Sequence, residues 1–151
     1  MAVQGLSFKL IGDKELLAGL ERLKLSVQKR ILKKVLRAAA RIILKAAKAL
    51  IPKDSGLAKK SLGVVLVKGK ANDEALAVIG ARKGFRKEVV GKKSKRRRLE
   101  DPRNIIHLIE LGTEHSAAQP FLRPAIDTQG GAAMTAAETT LAAELAKEAA
   151  K

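Results

Sequence analysis

Leu16, Leu20, Leu23, Val27, Ile31, Val35, Ala39, Ile42, Ala46 and Leu50 recur at steps of three and four, with no proline or glycine after Gly19. Such spacing lays one apolar face along an α-helix. Unbroken, the helix would be about 55 Å long at ~1.5 Å per residue. A small domain cannot cover that length alone, so part of the face is expected to pack on a neighbouring subunit. Arg30, Lys34, Arg37, Arg41, Lys45 and Lys48 form a second row at the same period. It reads either as a solvated face or as a surface turned toward acid or phosphate.

The flanking segments supply the other layer. Val3–Ile11 alternates loosely and predicts a strand with Phe8 inward, and Gly12-Asp13 supplies the break and helix cap. Pro52 ends the long helix, and Asp54-Ser55-Gly56 makes a turn. Ser61–Lys68 and Ala75–Ala81 are short, rich in valine and separated by a polar loop, which predicts an antiparallel hairpin. Asn104–Leu111 returns to the core as a short helix or strand. From Pro124, Ile126, Met134, Ala137, Leu141, Leu145 and Ala149 keep helical spacing. The Gly130-Gly131 pair costs about 1 kcal/mol per glycine relative to alanine, so a kink or break is expected there. The fold class is α+β: a small antiparallel sheet on a long N-terminal amphipathic helix, with a basic arm and a C-terminal helix. One domain spans 1–151, with the arm at 82–103 and the last helix at 124–151.

Charge is confined to two places. Asp13–Ile51 carries eleven Lys/Arg and three Asp/Glu, and Arg82–Arg98 carries ten Lys/Arg and one Glu, within a chain of formal charge +16. The run containing Lys92, Lys93, Lys95, Arg96, Arg97 and Arg98 cannot fold on itself against that repulsion. It reads as a mobile loop, or as a long β-hairpin arm with its tip at Gly91. Its field attracts nucleic acid or an acidic protein surface. The last helix is mildly acidic, so it and the basic first helix can meet across a subunit boundary. No apolar run approaches the ~20 residues of a membrane span, and a chain without cysteine suits a reducing cytoplasm.

Little chemistry is visible. His107 lies in the apolar run Ile105–Ile109 and reads as a core-edge residue; His115 reads as a loop residue. Neither has a partner at metal-ligand spacing. Glu100-Asp101 follows Arg96-Arg97-Arg98 and offsets that charge. Glu110 reads as a holder of backbone or of Arg123 rather than an acid–base group. No nucleophile–base pair, cofactor motif or enzyme signature stands out. Non-specific nucleic-acid binding is the rival to an assembly role, but aromatic residues for stacking and a recognisable groove-reading motif are missing.

The most informative stretch is Glu110–Ala125, E-L-G-T-E-H-S-A-A-Q-P-F-L-R-P-A. Gly112-Thr113 breaks the apolar run, and Pro120 and Pro124 bracket Phe121-Leu122-Arg123. Pro124 reads as the start of the last helix and Phe121-Leu122 as an apolar plug fixing its entry. E-L-G-T followed by P-F-L-R-P-A (Pro120, Phe121, Leu122, Arg123, Pro124, Ala125) resembles the tail-completion, or tail-terminator, family of long-tailed bacteriophages. The turn Pro52-Lys53-Asp54-Ser55-Gly56-Leu57 looks like that family's turn after its long first helix. The basic segment Arg82–Arg98 and the Gly130-Gly131 pair depart from the pattern. The resemblance implies a ring, usually a hexamer, at the head-proximal end of the tail tube. Such a ring stops tube polymerisation and docks the tail to the head connector. The implied partners are further copies of itself, the tail tube protein and the head-completion or connector protein, with the genome DNA passing through the lumen. No cofactor, membrane or catalysis is implied, and the implied location is the virion, with assembly in the host cytoplasm.

Overall fold

The computed structural model describes residues 14–52, 56–68, 75–90 and 97–150. The strand expected over Val3–Ile11 lies outside them. The long apolar row folds as two helices, α1 (Lys14–Glu21) and α2 (Leu25–Leu50), rather than one. No glycine or proline marks the break. The turn is closed by Leu23 N–H donating to the Leu20 carbonyl, and the Gln28 amide donates to the carbonyls of Glu21 and Leu23. Turning the chain here brings Leu16, Leu20 and Leu23 onto Ile31, Val35, Ala137, Leu141 and Leu145. Packing in that cluster outweighs continuation of the helix, whose own propagation gains little per residue.

The last helix, α5 (Leu122–Ala149), runs antiparallel along α2: Arg30 meets Glu148, while Ile43 and Ala47 meet Ala125 and Ala133. It continues through Gly130-Gly131 without the expected break. Burial of Ala125, Ala133 and Ala137 on either side of the pair holds the helix together. Those small side chains let the two backbones approach closely. Two clusters therefore lie along one helix pair: Leu20, Ile31, Val35, Ala137 and Leu141 at one end, and Ile43, Ala47, Ile51, Leu62, Ile106, Phe121, Ala125 and Ala133 at the other. Two expectations are corrected here. The apolar face of α2 is covered by its own chain, with Leu25 and Leu50 at its ends left exposed. The basic and acidic helices also meet inside one chain, Arg30 with Glu148 and Lys34 with Glu144 at 2.5 Å each.

After Pro52 and the short helix α3 (Leu57–Ser61), β1 (Leu62–Lys68) pairs antiparallel with β2 (Ala75–Ala81), Leu62 opposite Ala81 and Val65 opposite Val78. Residues directly opposite share a face. Leu62, Ala77, Ile79 and Ala81 face the core, whereas Val65, Val67 and Leu76 point outward and are 37–46% exposed. The fully buried Ser61 ties the junction: its hydroxyl donates to the Ala58 carbonyl, and its carbonyl accepts the Arg82 N–H.

The segment read as a basic arm carries a second antiparallel pair, β3 (Lys87–Val90) and β4 (Arg97–Glu100), with Val90 opposite Arg97, and its expected tip at Gly91 lies outside the described residues. Its base is clamped at Asp101, which accepts from Arg86 Nε at 3.3 Å and from Arg103 Nε and Nη2. The Arg103 guanidinium holds the Asp101 carboxyl well below the usual carboxylate range, with Arg86 adding to the effect. Asp101 also caps the 3₁₀ turn Pro102–Asn104 by accepting the Arg103 N–H. The chain then enters α4 (Ile106–Leu111), the helical one of the two alternatives read for this segment.

Candidate functional site

The corner between α4 and α5 is built around one carboxylate. The N–H groups that open a helix have no partner within it. Here Glu110 reaches back from the end of α4 and accepts all those that need one. Phe121 N–H donates to Oε2 at 2.8 Å, Leu122 N–H to the same oxygen at 3.0 Å, and Arg123 N–H to Oε1 at 3.1 Å. Pro124 has no N–H to satisfy, and Ala125 N–H donates to the Phe121 carbonyl at 3.3 Å. A negative charge at the positive end of a helix is favourable in its own right. Glu110 thus binds backbone rather than the Arg123 side chain. The helix begins two residues before Pro124, which occupies the first turn rather than the first position.

Gly112 makes the reversal that lets Glu110 do this. Its φ is +77°, and a Cβ there would lie 2.7 Å from the Ala118 nitrogen. Thr113 and Ser116 exchange main-chain hydrogen bonds, and Gln119 N–H donates to the Ile109 carbonyl at 2.9 Å. The segment Thr113–Pro120 is exposed throughout, yet held at both ends. Beside it Leu108 and Leu111 are 41% and 59% exposed. Phe121 is fully buried, Leu122 packs half-buried beside it, and Ala125 closes the plug.

The other sequence-predicted residues are placed unevenly. Pro52 follows Ile51, whose N–H still donates to the Ala47 carbonyl. Gly56 adopts the left-handed conformation that starts α3 at Leu57. Asp54 and Ser55 lie outside the described residues, as do Lys92, Lys93, Lys95 and Arg96. Arg97 and Arg98 belong to β4, opposite Val90 and Val89. His107 is exposed on α4 rather than at the core edge, because Ile106 and Ile109 turn inward instead; His115 is exposed in the loop. Sequence reasoning gave Asp101 a general charge-balancing role and missed its two-arginine clamp. The signal was there in Asp101-Pro102-Arg103, a capping carboxylate followed by a proline at the first position.

Glu144 is the other site where charge is organised. It is nearly buried and accepts from both Lys34 and Lys147. The Lys34 ammonium, then Lys147, holds its carboxyl below the ordinary value. Among the described residues, no group of three His, Cys, Asp or Glu side chains could hold a metal ion, and no helix is long and apolar enough to cross a membrane.

A family model described as "Bacteriophage HK97-gp10, putative tail-component" matches residues 14–112, about two-thirds of the chain. The match runs from α1 to Gly112; the Phe121 plug and α5 lie beyond it. No curated protein and no solved structure matches the chain significantly. With two helices, the valine-rich hairpin, the arm and the Glu110 reversal all inside the matched span, the chain belongs to the HK97-gp10-like family of bacteriophage tail components.

Proposed function

We propose that this protein forms a closed ring, a hexamer by the resemblance of its motifs, at the head-proximal end of the phage tail tube, where it stops tube polymerisation and joins the tail to the head. Family membership carries the reading. The surface supports it in a different place from the one expected of the sequence. The outer face of the β1–β2 hairpin carries Val65, Val67 and Leu76, and the α4 corner carries Leu108 and Leu111. A cyclic head-to-tail assembly covers two such unlike surfaces in every copy. The partners would be further copies of the chain, the tail tube protein on one side and a head-completion or connector protein on the other.

The arm fits this role as a contact. Its base is fixed by Asp101, while Lys87, Glu88 and Leu99 are exposed. We assign it to an acidic face of the adjoining ring, because a tight grip on the genome would hinder its passage. The protein has no catalytic part in this reading. Native mass spectrometry of the purified protein, alone and with tail tube protein, tests it. Discrete hexamers are expected; a strict monomer at tens of micromolar with tube protein present would overturn it. Changing Lys92, Lys93, Lys95, Arg96, Arg97 and Arg98 to Ser should abolish head–tail joining. Fully infectious particles from that variant would reduce the arm to a solvated loop.

A further inference from the structure

We infer that Arg37, Arg41, Lys45 and Lys48 on α2 form a second anionic-ligand surface, one that tracks the phosphate backbone of nucleic acid. The α2 basic row begins as a single stripe, but the fold divides it. Its first two members, Arg30 and Lys34, are consumed by Glu148 and Glu144 of α5. The last four form no ion pair with any carboxylate among the described residues, although α5 runs beside the same helix. Arg37, Arg41 and Lys45 are exposed and Lys48 is half-buried. Charge has been left available there, on a helix made rigid by the burial of Ala40, Ile43 and Ala47 behind it.

The make-up of this face selects the ligand. Protein docking surfaces depend on apolar or aromatic anchors that become buried at their centre. Between Ser26 and Ala49 no large apolar side chain of α2 is exposed; its exposed leucines, Leu25 and Leu50, cap the two ends. A surface of cations without anchors gains nothing from burial and everything from phosphate neutralisation, which needs charge alone. Two of the four are arginines, whose fork matches phosphate oxygens. The row spans about 16 Å at ~1.5 Å per residue. A duplex presents about nine phosphates over such a length, at one charge per ~1.7 Å of axis. Binding through four side chains is salt-sensitive and weak at physiological ionic strength, so it can guide a strand without arresting it.

The test is the salt dependence of binding to a 20-base-pair duplex of arbitrary sequence, measured by fluorescence anisotropy on the full chain. The row variant R37Q/R41Q/K45Q/K48Q keeps good helix formers and should melt as the parent does. A control, R22Q/K24Q/K60Q/K83Q, removes equal charge from exposed positions elsewhere. The row variant should lower the slope of log K against log salt by about 3.6, at ~0.9 for each of four phosphate contacts, and the control by less than about 1. Equal losses in both variants would mean diffuse attraction and overturn the assignment. So would a parent protein that fails to bind the duplex at 50 mM salt. If the row variant keeps its DNA affinity but loses binding to poly-L-glutamate, the row is a contact for acidic protein and the inference fails. The result is read on the isolated protein, so it does not depend on whether a ring forms.

Discussion

Replacing Glu110 with alanine removes the acceptor of three main-chain N–H groups at once. Those of Phe121 and Leu122 are part-buried, and each should cost about 1–1.5 kcal/mol when left without a partner. The Arg123 N–H is exposed and can turn to water, so it adds about 0.5 kcal/mol or less. The expected loss is about 3 kcal/mol, larger than the ~0.5–2 kcal/mol of an ordinary cap that holds one N–H. For a chain of this length that lowers the melting temperature by roughly 6–12 °C. Glu110→Gln keeps one oxygen for Phe121 and Leu122 but loses the charge and the third bond, and should cost about 1 kcal/mol. Thermal melts by circular dichroism give the totals. Amide hydrogen exchange at Phe121, Leu122 and Arg123 locates the loss. If Glu110→Ala melts within ~2 °C of the parent with unchanged protection at these amides, the carboxylate does not hold the helix and the reasoning fails.

Gly112→Ala puts a Cβ against the Ala118 backbone at a positive φ and should cost at least ~2 kcal/mol, measured by urea titration; a neutral substitution would mean the reversal is built differently. Phe121→Ala empties a fully buried site and should cost ~3–5 kcal/mol, with loss of whatever oligomer the parent forms; an unchanged melt and assembly would count against the plug. Gly130→Ala with Gly131→Ala should stabilise the chain by up to ~2 kcal/mol, since a Cβ at either position meets nothing within 4 Å; destabilisation would mean these glycines serve something other than the helix. Asp101 has a lowered folded-state pKa, so its contribution is fully present above its ordinary value of 3.8 and is lost as pH falls toward the folded one. The difference in stability between the parent and Asp101→Asn should therefore hold from neutral pH to about 5 and shrink below about 4. A difference independent of pH would show that the clamp does not act through charge.

The parts of this fold fixed by near neighbours in the chain were legible in the sequence. The β1–β2 hairpin follows from two valine-rich runs and the end of α2 from Pro52, whereas for Glu110 the sequence left backbone and Arg123 both open as partners. What distant neighbours decide was not legible. Nothing local marks the break at Arg22–Lys24, because its cause is Leu20 and Leu23 meeting Leu141 and Leu145 more than a hundred residues later. The glycine pair reads locally as a break, yet α2 holds the alanines around it. The ionic contacts of Arg30 and Lys34 depend on α5 lying antiparallel, which periodicity does not reveal. His107 was misread because a six-residue helix has room to bury only one side.

The two clusters along the α2–α5 pair give the chain two stabilities rather than one. Around Phe121, the helix start, the hairpin and α4 converge on a single cluster, so opening there amounts to unfolding the domain. At the other end a few leucines hold the last turns of α5, with ion pairs whose Arg30 and Lys34 partners are half-exposed, and pairs open to solvent on one side contribute little, ~0–1 kcal/mol each. That end should open locally, at a lower free energy, while the first half of α5 stays pinned by Glu110. Exchange at Leu141 should run ahead of exchange at Ala125, and a change such as Leu141→Ala should widen the gap. A melting temperature followed by total helix content averages the two events. A probe placed at each end would separate a hinged tail from a fixed root.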